Sequence, residues 1–159
     1  MKIDIICVGK IKERFYEDAI GEYIKRLSKY AKVSIVELAD EKTKDNASSK
    51  EEEIIKNREG ERILSKLKDD AYIFTLEING KNLSSEKLAE EINNLGINGQ
   101  SYIQFVIGGS IGLSKAVTDK ANYHLSFSAM TFPHQLMRVI LLEQIYRCFR
   151  IINNEPYHK

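Results

Sequence analysis

Residues 101–112 read SYIQFVIGGSIG. The first seven are dominated by β-branched and aromatic side chains without polar alternation, the pattern of a strand buried on both faces. The strand then runs straight into Gly108-Gly109-Ser110-Ile111-Gly112, where missing side chains let a flat or anionic ligand lie against the backbone. Working outward, Ile3 to Val8 is a second near-continuous apolar run, closed by Gly9. Ala71 to Ile78 is a third, expected to stop at Asn79-Gly80, because both residue types tolerate positive φ. Val33 to Leu38 and Leu125 to Ser128 read as shorter strands.

Helical patterns separate these strands. Phe15, Tyr16, Ala19, Ile20, Tyr23, Ile24 and Leu27 recur at three- and four-residue spacing. A helix carrying Ile54, Ile55, Ile63, Leu64 and Leu67 follows Asp40 to Glu53, which holds nine charged residues in fourteen and reads as a solvated loop. Ser84 or Ser85 caps a helix reaching about Asn94, and Pro133 opens the last one, where its missing N–H costs no helical bond. Strands alternating with helices predict an α/β fold, a mainly parallel sheet with helices on both faces, in one domain spanning 1–159.

With 43% hydrophobic and 30% charged residues, the composition is that of a globular protein, and no apolar run approaches the ~20 residues of a membrane span. Met1 to Val8 lacks the features of an export signal, so a cytoplasmic location is expected. Cys7 and Cys148 sit in apolar runs and read as small buried hydrophobes; their spacing suits neither a disulfide framework nor zinc, and no metal is expected. The net charge is only +1. Residues 101–159 nevertheless hold six cations (Lys115, Lys120, Arg138, Arg147, Arg150, Lys159) against three acids (Asp119, Glu143, Glu155), so the C-terminal part is basic. That bias permits nucleic-acid binding without establishing it.

The glycine cluster is neither G-x-G-x-x-G nor a P-loop, which disfavours the usual dinucleotide and nucleoside-triphosphate folds. On the last helix, Glu143, Arg147, Arg150 and Asn154 share a narrow arc, while apolar residues cover most of the remaining circumference. A helix that apolar is buried on several sides, and a second copy of the chain is the simplest cover, giving a homodimer through this helix. Arg138 lies within the apolar arc, either snorkelling to the surface or pairing with a ligand or partner group. The terminal Tyr157, His158 and Lys159 are either a disordered end or, with Arg147 and Arg150, an RNA-contacting cluster. His134, beside a proline at a helix start, reads as a locally hydrogen-bonded neutral ring.

FVIGGSIGLS (Phe105 to Ser114), LSFSAMTFPHQLMRVILLEQIYR (Leu125 to Arg147), the terminal PYHK (Pro156 to Lys159) and the opening IICVGKIKERF (Ile5 to Phe15) together resemble the ribosomal RNA large subunit methyltransferase H family of the SPOUT superfamily. The likeness runs over the whole chain in order. It implies a C-terminal trefoil knot, a homodimer, and methylation by S-adenosyl-L-methionine of N3 of a pseudouridine in the helix 69 region of 23S rRNA within the ribosome. Carried onto this sequence, the cofactor contacts would be Leu76, Gly108, Phe127, Ser128, Ala129, Met130, Thr131 and Phe132. Phe127 and Phe132 stand where leucine is common in the family. His158, Tyr157 and Arg147 would serve catalysis and RNA contact with Lys159; His158 is the first choice for assisting the N3 proton or orienting the base and Tyr157 the second, with a base supplied by solvent or RNA as the alternative. The rivals are a SPOUT enzyme acting on tRNA and a non-catalytic ribosome-binding protein. The compact chain favours a substrate that supplies its own docking surface.

Overall fold

Five strands, β1 (Lys2–Val8), β2 (Lys32–Leu38), β3 (Tyr72–Asn82), β4 (Tyr102–Ile107) and β5 (Tyr123–Ser126), alternate with helices α1 (Arg14–Leu27), α2 (Ser49–Leu64), α3 (Ser85–Ile97), α4 (Lys115–Thr118) and α5 (His134–Ile152). The computed structural model describes residues 1–158. The strands form one sheet in the order β2-β1-β4-β3-β5, and every neighbouring pair is parallel. Central β1 shows why its sequence is apolar throughout. Ile3, Ile5 and Cys7 point into a core shared with α1, α3 and α5, while Ile6 and Val8 point into a second core with residues of α2 and α4. Helices therefore cover both faces, as the alternating pattern requires.

The structure moves several element boundaries. α2 begins inside the stretch expected to be a loop, because Ser48 and Glu51 form a reciprocal cap: the Glu51 N–H donates to Ser48 Oγ at 3.2 Å and the Ser48 N–H to Glu51 Oε2 at 2.7 Å. Leu67 falls beyond its end. Ser84 caps α3, which runs three residues past Asn94. β3 does not stop at Asn79-Gly80. Leu76 and Lys81 both register with Leu125, so the intervening residues are looped out and the pairing then resumes. Gly80 serves this close approach: a Cβ there would lie 2.8 Å from the His124 carbonyl oxygen.

Arg138 takes neither expected course. It is fully buried within its own chain, where Nη1 donates to Glu37 Oε2 at 2.7 Å and Nη2 to the Gly9 carbonyl at 2.6 Å. It thus ties the start of α5 to the carboxyl ends of β1 and β2. Among the described residues no helix is long and apolar enough to cross a membrane.

Candidate active site

A cavity of about 680 Å³ opens at the looped-out segment of β3 and the carboxyl ends of β4 and β5, with the first turns of α5 as one wall. Parallel neighbours place all three carboxyl ends on one edge of the sheet, where α/β folds hold ligands. Leu76, Gly108, Phe127, Ser128, Met130, Thr131 and Phe132 all line it, drawn from three segments far apart in sequence. Ala129, in the same loop, does not. The junction expected at Leu76 to Gly80 also contributes Glu77, Ile78 and Asn79, whereas sequence reasoning missed Leu113, Thr118, His134 and Met137 on the α4 and α5 side. The Pro133-His134 junction was the available signal, because it places the first α5 side chains beside a strand-end loop.

The Gly112 N–H donates to the Gly109 carbonyl at 3.1 Å and Gly112 adopts φ +87°, closing the turn. A Cβ on Gly108 would come within 3.0 Å of the Gly112 carbonyl carbon, and one on Gly109 within 2.7 Å of Glu59 Oε2. The loop after β5 is pinned at its base, where Ser126 Oγ donates to the Ile78 carbonyl at 2.9 Å and Asn82 Nδ2 to the Ser126 carbonyl at 3.1 Å. Met130 and Phe132 on this loop remain exposed, an apolar rim in water. Burial, and secondarily the Arg138 charge, holds the His134 imidazole below its ordinary range, so it is neutral near pH 7.

Tyr157, His158 and Arg147 form a second cluster at the other end of α5, and none of them lines the cavity. Past Ile152 the chain reverses at Asn154 (φ +52°). Glu155 then accepts bonds from Lys29 Nζ at 2.8 Å, from the Tyr30 hydroxyl and from Arg150, while Arg150 Nη2 also holds the Pro156 carbonyl at 2.9 Å. The Tyr157 ring packs edge-on against Tyr146 at 5.0 Å, beneath the Arg147 guanidinium, and its hydroxyl donates to Glu143 Oε1 at 3.2 Å. Burial first, then the Glu143 charge, pushes the Tyr157 phenol up to about 12. It therefore stays protonated at neutral pH. His158 Nε2 lies 2.7 Å from Glu86 Oε1, and its Nδ1 3.3 Å from Arg147 Nη1. These contacts pack residues 157 and 158 against α3 and α5. Lys159 lies outside the described residues.

An all-parallel sheet whose strand ends and glycine loop line one cavity defines an α/β protein with a candidate ligand site at its strand ends. The profile of the family described as "Predicted SPOUT methyltransferase" matches residues 1–158. The chain is 63% identical to the ribosomal RNA large subunit methyltransferase H of Clostridium novyi and 58% identical to that of Clostridium acetobutylicum, each over 159 residues and the whole of both chains. A methylase-family structure from Haemophilus influenzae shares the fold, with a TM-score of 0.51 at 14% identity, over 96% of this chain and 66% of that one. The chain belongs to the SPOUT methyltransferases and, among them, to the ribosomal RNA large subunit methyltransferase H family.

Proposed function

We propose that the chain is a cytoplasmic enzyme that transfers the methyl group of S-adenosyl-L-methionine to N3 of a pseudouridine in 23S rRNA, in the helix 69 region of the ribosome. The observation that carries this is the convergence of Leu76, Gly108, Phe127, Ser128 and Met130 to Phe132 on one cavity, in a chain of this family. The residues present fit the cofactor. Leu76, Phe127, Leu113 and Met137 offer apolar walls for an adenine ring, and the side-chain-free edge at Gly108 brings backbone N–H and C=O groups within reach of the ribose and amino-acid moieties. The looping of backbone around this cavity is also what a trefoil knot in the C-terminal part would provide.

S-adenosyl-L-methionine supplies an electrophilic sulfonium methyl group. The protein's part is to align the acceptor nitrogen with it, to exclude water and to receive one proton. Ser128, Met130 and Thr131 line the cavity, while Arg147 and Tyr157 offer a cation and an aromatic ring to RNA. His158 is the proton acceptor in this scheme. In one chain, however, this cluster and the cavity lie at opposite ends of the 19-residue α5, about 28 Å long at 1.5 Å per residue. A second copy with its α5 antiparallel brings the tail of each chain to the cavity of the other. The half-buried Leu136, Val139 and Ile140 supply apolar surface for such a homodimer.

Titration calorimetry with S-adenosyl-L-methionine tests the cofactor site. Saturable binding in the native protein, lost in Gly108→Val, is expected. Absence of binding at millimolar ligand would contradict the proposal and favour a non-catalytic ribosome-binding role.

A further inference from the structure

Glu86 stands in the first turn of α3, on a different element from the helix that carries the tail. Its Oε1 is 2.7 Å from His158 Nε2. Its own backbone N–H, then His158 and Ser84, hold the Glu86 carboxyl down to about 2, so at neutral pH it is a permanent acceptor. The other imidazole nitrogen faces Arg147 Nη1 at 3.3 Å, and a guanidinium can only donate. Arg147 is itself fixed by Glu143, which accepts from its Nε at 3.1 Å. With an obligate acceptor on one side and an obligate donor on the other, only one neutral tautomer satisfies both: Nε2 carries the hydrogen and Nδ1 the lone pair.

We propose that Glu86 is a positioning residue for the C-terminal histidine: it fixes the ring orientation and the Nε2–H tautomer of His158, leaving Nδ1 as the acceptor for the substrate proton. This rests on the proposed role of His158, and it assigns to Glu86 the part of the third group that orients a catalytic base. Arg147 caps the same lone pair. The proton can therefore be taken only once the guanidinium has swung away, and an RNA phosphate offers it an alternative partner of matching charge. The step balances: N3 loses its hydrogen to Nδ1, the freed electron pair bonds the methyl carbon, and the carbon–sulfur bond of the sulfonium breaks with its pair left on sulfur as a neutral thioether. His158 becomes an imidazolium held by Glu86 until solvent removes the proton.

The test uses the full-length protein with histidine labelled in nitrogen-15, the His158 signals being identified by their loss in His158→Ala. The native protein is expected to show the Nε2–H form and Glu86→Ala a mixture of tautomers. Single-turnover methylation of ribosomes should fall on the order of tenfold in Glu86→Ala, with calorimetric cofactor affinity unchanged. Glu86→Gln, whose amide oxygen accepts the same bond, should recover most of the rate. An unchanged tautomer, or an unchanged rate in Glu86→Ala beside a lost one in His158→Ala, would overturn the inference alone. An unchanged rate in His158→Ala would remove the proposed role of His158 and the inference with it.

Discussion

Arg138 has no surface in water, and its carboxylate partner Glu37 lies 101 residues away in sequence. No local pattern reveals such a pair, which is why the sequence left a snorkelling cation and an interface cation as equal readings. Replacing Arg138 with Met removes the donors to Glu37 and to the β1 carbonyls. The expected loss is about 3 kcal/mol, read as a lower urea midpoint, with cofactor binding weakened because His134 and Met137 are carried on the same turns. The cysteines are the opposite case, legible from their apolar neighbours alone. Burial pushes both thiols up to about 12, so neither should react with iodoacetamide in the native protein at pH 8, whereas both should after denaturation. Fast modification of either thiol in the folded state would show that its strand or helix opens.

At the scale of elements, β1 and β4 were readable because a strand buried on both faces leaves an uninterrupted apolar run. β3 was read short, since Asn79-Gly80 looks like a turn until β5 is seen pressing against Gly80. Gly80→Ala is therefore expected to destabilise the protein by roughly 2 kcal/mol, because its Cβ meets backbone that cannot rotate away. A thermal midpoint equal to that of the native protein would show that β5 yields there. The α2 cap was written in the sequence as Ser48-x-x-Glu51 but hidden in a charged stretch that reads as solvated. The tail's order was not legible at all, because its anchors Lys29, Tyr30 and Glu86 lie on α1 and α3 or at their ends. Its anchoring carboxylates have folded-state values below 4.5: Glu155 through the bonds from Lys29 and Tyr30, and Glu86, at about 2, through its own backbone N–H and His158. Depressed carboxyl groups contribute stability that is complete above their unfolded value and lost as pH falls through the folded one. Amide protection of Tyr157 and His158 should thus fall as pH drops from 4.5 towards 2, ahead of global unfolding, and protection retained at pH 2 would count against these anchors.

For the molecule as a whole, the sequence pattern was sufficient for an α/β sheet covered on both faces and for the three loops that meet in the cavity. It was insufficient for the separation of cavity and tail, which follows from α5 running between them. In the proposed function that separation makes a second copy part of the site. Sedimentation should give twice 18.3 kDa. Mixed dimers of Gly108→Val with His158→Ala should regain one working site, since the intact tail of the first chain reaches the intact cavity of the second. Activity no greater than in either parent would place tail and cavity action within one chain.

The most direct measurement of the central claim supplies methyl-labelled S-adenosyl-L-methionine and the protein to ribosomes with or without the target pseudouridine, then maps the labelled nucleotide. One methyl group at N3 of that pseudouridine in 23S rRNA, absent from ribosomes carrying uridine there, is the predicted result. Label on tRNA, at another ribosomal position, or nowhere would contradict it.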